Sequence, residues 1–468
     1  MKVLWLCNTM LPVVAEQLQQ KASNKESWLS GLCDSLLKRQ KENHIELHVA
    51  FPVERSLDGL RKQLWVESGC LFCYGFWEDI THPEQYDEGL NQRLLDITRL
   101  VEPDVVHCFG TEFPHHLAMA RCFPHPERIL VGIQGICSVI AQEYMADLPL
   151  EIQTRKSFRD YVKRDGLTEQ QQKFRKRGIH ERELLGRVEN IAGRTEFDRY
   201  FVQKVNPHAR YFVMNETMRE CFYEGQWDRR NCKSHTIFVS QGDYPLKGLH
   251  YLLLAAAKLK EQYPDLQVRV GGNSLVHVNT LKDRMKMSGY GNYLYRLIRK
   301  LNLEANVTFL GKLSAEEMKR EYLACGLYVC CSANENSPNS LAEAMLLGVP
   351  CVASDVGGIP SLFSHGKDGI LYETGHSYEK IINNICDETK EQGDTLAGQA
   401  TCEEKESGLQ QNVTNLIQAI VTIWENPQIT DAFCENARKH ARKTHDKEEN
   451  YSKMVEIYAK IAEGKNLR

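Results

Sequence analysis

Glu335 and Glu343 stand in the stretch Ser332-Ala-Asn-Glu-Asn-Ser-Pro-Asn-Ser-Leu-Ala-Glu-Ala-Met-Leu-Leu-Gly-Val-Pro350. Ser337 has the chemistry of an N-cap, and Pro338 suits a first helical position, where its missing N–H costs nothing. Gly348 fits the left-handed position after the last turn, and Pro350 prevents continuation. The spacing therefore predicts a helix over Pro338–Leu347, set at both ends by local chemistry. Free amides at Asn339, Ser340 and Leu341 would form an anion site strengthened by the helix dipole. Glu343 lies four residues after Asn339 and three after Ser340, on the same helical face, and Glu335 sits in the loop before the helix. Two carboxylates beside a bound phosphate repel it, so they must serve other groups. Sugar hydroxyls, which donate to carboxylates, are the natural partners. A phosphate between two hydroxyl-bearing rings describes a nucleotide sugar. The plainer reading of the same residues is a capped helix with surface glutamates.

Other positions could act beside this one. The loop Gly242-Asp-Tyr-Pro-Leu-Lys247-Gly248 follows an apolar strand and opens a helical pattern. Lys247 there can meet a leaving diphosphate as its negative charge grows, or it can be an ordinary exposed lysine. Lys21-Ala-Ser23-Asn24-Lys25-Glu-Ser-Trp28 puts Ser23, Asn24 and Lys25 at a helix start. They could position an acceptor or a phosphate there, or simply cap the helix. Glu112, in Phe109-Gly-Thr-Glu, is a further acceptor-side candidate with a structural role equally open. Cys70-Leu-Phe-Cys73 is a lone C-x2-C without a second ligand pair, which reads as packed strand cysteines. No Asp-x-Asp pair and no G-x-G-x-x-G turn occur, so neither an essential metal nor a dinucleotide cofactor is expected.

The elements that must hold these residues follow an α/β rhythm. Strands are expected at Val3–Cys7, Ile45–Phe51, Asp104–Gly110 and Ile129–Gly135, with helices at Lys25–Arg39 and Tyr86–Leu100. The second half restarts, with strands at Thr236–Gln241, Leu266–Gly271, Val307–Gly311, Leu327–Ser332, Cys351–Ser354 and Gly369–Glu373. Helices at Gly248–Tyr263, Ala315–Cys325 and Pro338–Leu347 connect them. Two doubly wound units in tandem would place a cleft at the carboxyl ends of their strands, where open α/β sheets bind ligands. The 468 residues suit two to three domains. We place the boundary in the polar stretch 215–233, giving domains 1–215 and 216–446, with the helix in 447–468 returning to the first. Residues 387–411, acidic and poor in large apolar side chains, read as a mobile surface insertion.

Composition bounds the function. With 58 Lys and Arg against 62 Asp and Glu, the net charge is -4, which disfavours a nucleic-acid partner. No apolar run is long enough to cross a membrane, and MKVLWLCNT is too short for a signal-peptide core. Sixteen irregularly spaced cysteines read as reduced thiols in a cytoplasmic protein.

Within ENSPNSLAEAMLLGVPCVASDVGG, Glu335-x7-Glu343 resembles the E-x7-E signature of family 4 glycosyltransferases (group 1), retaining enzymes of the GT-B fold. MKVLWLCNTMLP, FGTE at 109–112, IQG at 133–135 and GRTEFDR at 193–199 are similar to segments of that family. The resemblance implies two Rossmann-like domains facing across a cleft, and a sugar transferred with retained anomeric configuration. It implies that Glu335 holds hydroxyls of the donor sugar, Glu343 accepts from the ribose hydroxyls, and the 339–341 amides bind the diphosphate. Asn336, Ser337 and Gly311 join the donor contacts by the same resemblance, and Lys247-Gly248 is similar to the family's Lys-Gly pair. Two departures stand out. Gly242 lies near the place where the family commonly has an arginine, and Gln134 stands where many relatives carry a histidine. A glutamine can contact the sugar but cannot act as an acid–base group near neutral pH.

The expected donor is a UDP sugar first and a GDP sugar second, with a glycan or lipid-linked acceptor in cell-surface polysaccharide synthesis. The nucleotide sugar is a substrate, and no cofactor is implied. Residues 155–182 carry ten Lys or Arg against four acids, interleaved with aromatics. They would suit peripheral contact with an anionic inner leaflet, or equally a solvated helix pair or lid. A nucleotide-sugar epimerase and a non-catalytic nucleotide-sugar-binding scaffold stand as the rival functions.

Overall fold

The computed structural model describes residues 1–20, 27–276, 280–388 and 402–464. It divides into two compact units. The first comprises 1–138, 173–219 and 445–468, and the second 139–172 and 220–444.

The first unit is built on an eight-stranded sheet. Its strands are β1 (Lys2–Leu6), β2 (Glu46–Val53), β3 (Arg61–Val66), β4 (Gly69–Trp77), β5 (Val105–Phe109), β6 (Ile129–Gly132), β7 (Asn190–Gly193) and β8 (Arg210–Val213). They run in the order β3-β4-β2-β1-β5-β6-β7-β8. Every pairing is parallel except the hairpin β3/β4. The central strands are buried along their length, as parallel strands covered by helices on both faces must be. The helix Lys447–Glu463 completes this core through Tyr451, Met454, Ile457, Tyr458 and Ile461. Tyr458 accepts from Trp5 Nε1 at 3.0 Å and donates to His107 Nδ1 at 2.6 Å. Burial pushes the His107 imidazole down to about 3, so it stays neutral and free to accept.

The second unit carries β9 (Lys233–Val239), β10 (Gln267–Gly271), β11 (Val307–Gly311), β12 (Cys325–Cys330), β13 (Cys351–Ser354) and β14 (Ile370–Tyr372). Their order is β11-β10-β9-β12-β13-β14, all parallel. Strand order reverses beside β9, which is where open sheets of this kind bind ligands.

Several expectations need adjustment. β3, β4, β7 and β8 have no counterpart among the expected strands; Cys70 and Cys73 lie on β4, and Cys73 is fully buried. Residues 139–172 group with the second unit, not the first. The reason is polar anchoring: His250 Nε2 contacts Ala146 O at 2.8 Å, Tyr251 donates to Asp147 at 2.9 Å, and Gly289 N donates to Asp160 at 2.7 Å. The basic stretch forms two helices, Phe158–Lys163 and Leu167–Arg187. Of the polar segment 387–411, residues 389–401 lie outside the described residues. Residues 402–411 are helical, the start of Cys402–Glu425, because Leu409, Val413, Leu416 and Ile420 form a buried face. Among the described residues no helix is long and apolar enough to cross a membrane.

Candidate functional site

The site in the second unit begins at the turn after β9. Gly242 packs against the next helix, where a Cβ would stand 2.6 Å from Leu249 Cδ2 and 3.0 Å from Val270 Cγ1. An arginine here would have to displace the Leu249 side chain. Asp243 accepts from Asn273 N at 3.0 Å and from Asn273 Nδ2 at 2.5 Å, tying this loop to the one after β10. Pro245–Lys247 forms a single 3-10 turn that ends at Gly248 with φ +68°. A Cβ at 248 would lie 1.7 Å from the Cys331 carbonyl oxygen, so only glycine permits the turn to seat on the end of β12. Ala333 N donates to Leu246 O at 2.7 Å, which fastens the turn there.

This seating brings Lys247 to Glu335. Nζ lies 2.5 Å from Glu335 Oε1, and Ser332 Oγ donates to the same oxygen at 2.8 Å. Burial alone would lower the Lys247 ammonium, but the charges of Glu335 and Tyr244 outweigh it and hold the group well above its ordinary range. The backbone of Glu335 is fixed from the other side. Gly358 N donates to Glu335 O at 2.9 Å, and a Cβ on Gly357 would come within 2.1 Å of that oxygen. Lys247 and Glu335 are therefore held by backbone contacts that depend on Gly248, Gly357 and Gly358, and each side chain keeps a partly exposed surface (20% and 14%).

The helix that follows spans Asn339–Leu347 and ends at Gly348 in the left-handed conformation. Its start differs from expectation: Pro338, extended, occupies the cap position, and Ser337 makes no capping bond. Pro338 O accepts from Leu341 N at 3.0 Å, so of the three expected free amides the one at Leu341 is already used. Asn339 and Ser340 retain theirs at the helix start. Tyr322, on the helix Ala315–Ala324, donates to Ser340 O and Tyr328, on β12, to Ser340 Oγ, both at 2.8 Å, bracing this first turn. Glu343 is buried at 3% exposure and Asn336 at 5%. Gly311 ends β11 with φ +76° and open space around its Cα.

The remaining candidates belong to the first unit. Gln134 Oε1 accepts from Arg194 Nη2 at 3.3 Å, and the same nitrogen donates to Ile133 O at 2.7 Å. Arg194 is also ion-paired with Glu216, both almost fully buried. Around them lies a small cavity of about 20 Å³. The GRTEFDR segment owes its shape to a capping box between Thr195 and Asp198. Glu112 accepts from Gly135 N through Oε1 and from Thr111 N through Oε2, each at 2.9 Å, and so clamps two loops. Ser23, Asn24 and Lys25 lie outside the described residues. Sequence reasoning passed over Arg194, Glu216, Ser332 and the Tyr322/Tyr328 pair. Only Arg194 and Ser332 carried a signal, being inside segments already singled out.

The model of the glycosyl transferases group 1 family matches residues 226–395, the heart of the second unit. The D-inositol 3-phosphate glycosyltransferase of Corynebacterium urealyticum is 36% identical over 131 residues, 27% of this chain and 28% of that one. The N-acetyl-alpha-D-glucosaminyl L-malate synthase of Bacillus anthracis is 40% identical over 83 residues, 18% of this chain and 21% of the other. The chain thus spans under a third of the length of these curated relatives. Among solved structures, sucrose-phosphate synthase from Thermosynechococcus elongatus superposes with a TM-score of 0.66 at 13% identity, covering 98% of this chain and 99% of that one. HepE from Anabaena, in complex with UDP-glucose, gives 0.58 at 17% identity over the whole of both chains. Residues 226–395 of this chain are thus similar to the group 1 glycosyl transferases, and the chain has the GT-B fold.

Proposed function

We propose that this chain is a retaining glycosyltransferase, independent of metal. It moves a sugar from a nucleotide diphosphate, UDP first and GDP second, to a glycan or lipid-linked acceptor in cell-surface polysaccharide synthesis. The observation that carries the reading is the Lys247–Glu335 pair, 2.5 Å apart beside a helix whose first two amides are open. UDP as the first choice is supported by HepE, which was solved with UDP-glucose.

The chemistry follows from the residues. The anomeric C–O bond to the diphosphate breaks, and negative charge grows on the leaving oxygen. Lys247 meets that charge, together with the amides of Asn339 and Ser340. Glu335 accepts from sugar hydroxyls and fixes the reacting carbon, and Glu343 accepts from ribose hydroxyls. The acceptor oxygen bonds to the same face of the carbon, and its proton passes to an oxygen of the departing phosphate. Gln134, held by Arg194, would contact the sugar without titrating. We place the reaction in the cytoplasm, which suits the free thiols found among the described cysteines. The basic segment 155–182 would rest on an anionic membrane surface.

The test is a thermal-shift screen of UDP, GDP, ADP and their sugar conjugates on wild type and Glu343→Ala. At 100 times Kd a bound ligand stabilises the fold by about 2.7 kcal/mol. The expected result is a shift with UDP and its conjugates that shrinks in Glu343→Ala. Folded protein that shifts with no nucleotide would overturn the donor-site reading. A donor that binds without turnover would favour the scaffold.

A further inference from the structure

A second cavity of about 490 Å³ lies wholly within the second unit, on helices that take no part in the Lys247–Glu335 site. Four cations line it: Arg155, Lys156, Arg284 and Arg296. No carboxylate is among its lining residues. Arg155 and Lys156 are each shared with an outlying acid, Glu151 and Glu169. The side chains of Arg284 and Arg296 meet no carboxylate among the described residues. Arg284 and Arg296, the two without a counter-charge, repel one another and their paired neighbours, and a bound anion would relieve that repulsion.

The rest of the lining is apolar. Ile152, Phe158, Met285 and Tyr293 form walls beside the cations. Phe158 and Met285 are 62% and 54% exposed, and Leu150, Tyr161 and Val162 nearby on the same short helices are exposed as well. These five are nearly half of the large apolar side chains exposed among the described residues. Exposed apolar area beside unpaired guanidinium groups matches a ligand with an anionic head and a hydrocarbon body.

We infer that this cavity binds a phosphate-bearing amphiphile, with its phosphate between Arg284 and Arg296 and its hydrocarbon against Phe158 and Met285. The inference rests on the membrane-contact reading of residues 155–182 and gives that contact a defined address. The contact then lies on the helices Leu150–Thr154, Phe158–Lys163 and Leu281–Met285 and leaves out the long helix Leu167–Arg187.

The test uses the full chain and two kinds of probe. Binding of soluble dihexanoyl phosphatidic acid, dihexanoyl phosphatidylcholine and inorganic phosphate is measured by calorimetry. Flotation is measured with phosphatidylcholine vesicles, with and without phosphatidylglycerol. The variants are Arg284→Gln/Arg296→Gln and Phe158→Ser/Met285→Ser, all at exposed positions. A thermal midpoint equal to wild type shows that each is folded. Each basic residue near an anionic head contributes about fivefold, so the double arginine variant should bind the phosphatidic acid about thirtyfold more weakly. The apolar variant should lose affinity for the lipid but not for inorganic phosphate. Binding of the soluble lipid without flotation would uphold the cavity and sink the membrane reading. Unchanged binding by the arginine variant would overturn the inference, as would inorganic phosphate binding as tightly as the lipid. Flotation that neither variant weakens would overturn it too, because the membrane contact would then lie elsewhere.

Discussion

The seating of the Lys247 turn makes Gly248→Ala a sharp test, because a matched control lies in the same unit. Gly248 has φ +68° and Gly366 has φ +69°, so an alanine at either pays the same left-handed penalty, about 1–2 kcal/mol. Their surroundings differ. A Cβ at 366 meets nothing within 4 Å, whereas one at 248 lands 1.7 Å from Cys331 O and 2.8 Å from Tyr251 Cδ2. A carbon and a carbonyl oxygen need about 3.3 Å, so the turn must retreat by about 1.6 Å. That retreat breaks the Ala333 N–H···O Leu246 bond, about 1 kcal/mol, and loosens the packing beneath Tyr251. Gly248→Ala should therefore cost about 2 kcal/mol more than Gly366→Ala. In urea titrations followed by circular dichroism this separates the two midpoints by about 1 M, for a slope of about 2 kcal/mol/M. Lys247 moves with the turn, and a displacement of 1 Å in a positioning group costs about a hundredfold in rate. Equal losses of stability in the two variants would refute the reasoning, as would a Gly248→Ala protein that keeps the wild-type rate.

Three further outcomes are expected. Lys247→Met should lower turnover by about 10²–10³ while leaving the nucleotide-dependent thermal shift largely in place, since the charge it meets develops mainly as the bond breaks; loss of binding with rate intact would contradict that role. His376 lies 2.9 Å from Glu143 and 3.4 Å from Asp147. Burial works against its charged form, but the two carboxylates outweigh it and lift the ring to about 10. Because this value exceeds that of the unfolded chain, the stabilisation is complete below about pH 6.5 and is lost as pH rises through about 10. Thermal midpoints of wild type should fall towards those of His376→Gln across that window, the full difference being about 1.5–3 kcal/mol; parallel curves would show that the pair contributes nothing. Tyr458→Phe should destabilise the first unit by about 2–3 kcal/mol by leaving Trp5 Nε1 and His107 Nδ1 buried without their partner; a loss below about 0.5 kcal/mol in denaturant titration would refute this.

What the sequence made legible is what local chemistry decides. Gly348 and Pro350 end the helix through their own backbone preferences, and the strands flanking it are apolar runs bounded by turns. The start of that helix shifted by one residue, because an extended Pro338 (ψ 107°) serves as cap where Ser337 offered a side-chain oxygen that could accept from the first amides. The hairpin β3/β4 was hidden because β3 is an edge strand with only Leu64 buried, so its sequence has little apolar pattern to show. Residues 139–172 were assigned to the wrong unit for a different reason. His250, Tyr251 and Gly289, which hold them, lie more than 100 residues away, and no local pattern announces such partners. The same distance effect concealed the pairing of Gln134 with Arg194, 60 residues on, which braces the amide.

The interleaving of the units has a consequence for biosynthesis. The first unit needs Tyr458 and its neighbours to close the core around Trp5, yet residues 220–444 must be made in between. At 5–20 residues per second this takes about 10–45 s. Throughout that interval the ribosome carries an emerging sheet whose apolar face lacks its last helix, whereas the second unit is complete once residue 444 has been made. Chaperone demand should therefore fall on the N-terminal half of the nascent chain, and termination directly after residue 444 should yield a protein with a sound second unit and an aggregating first one.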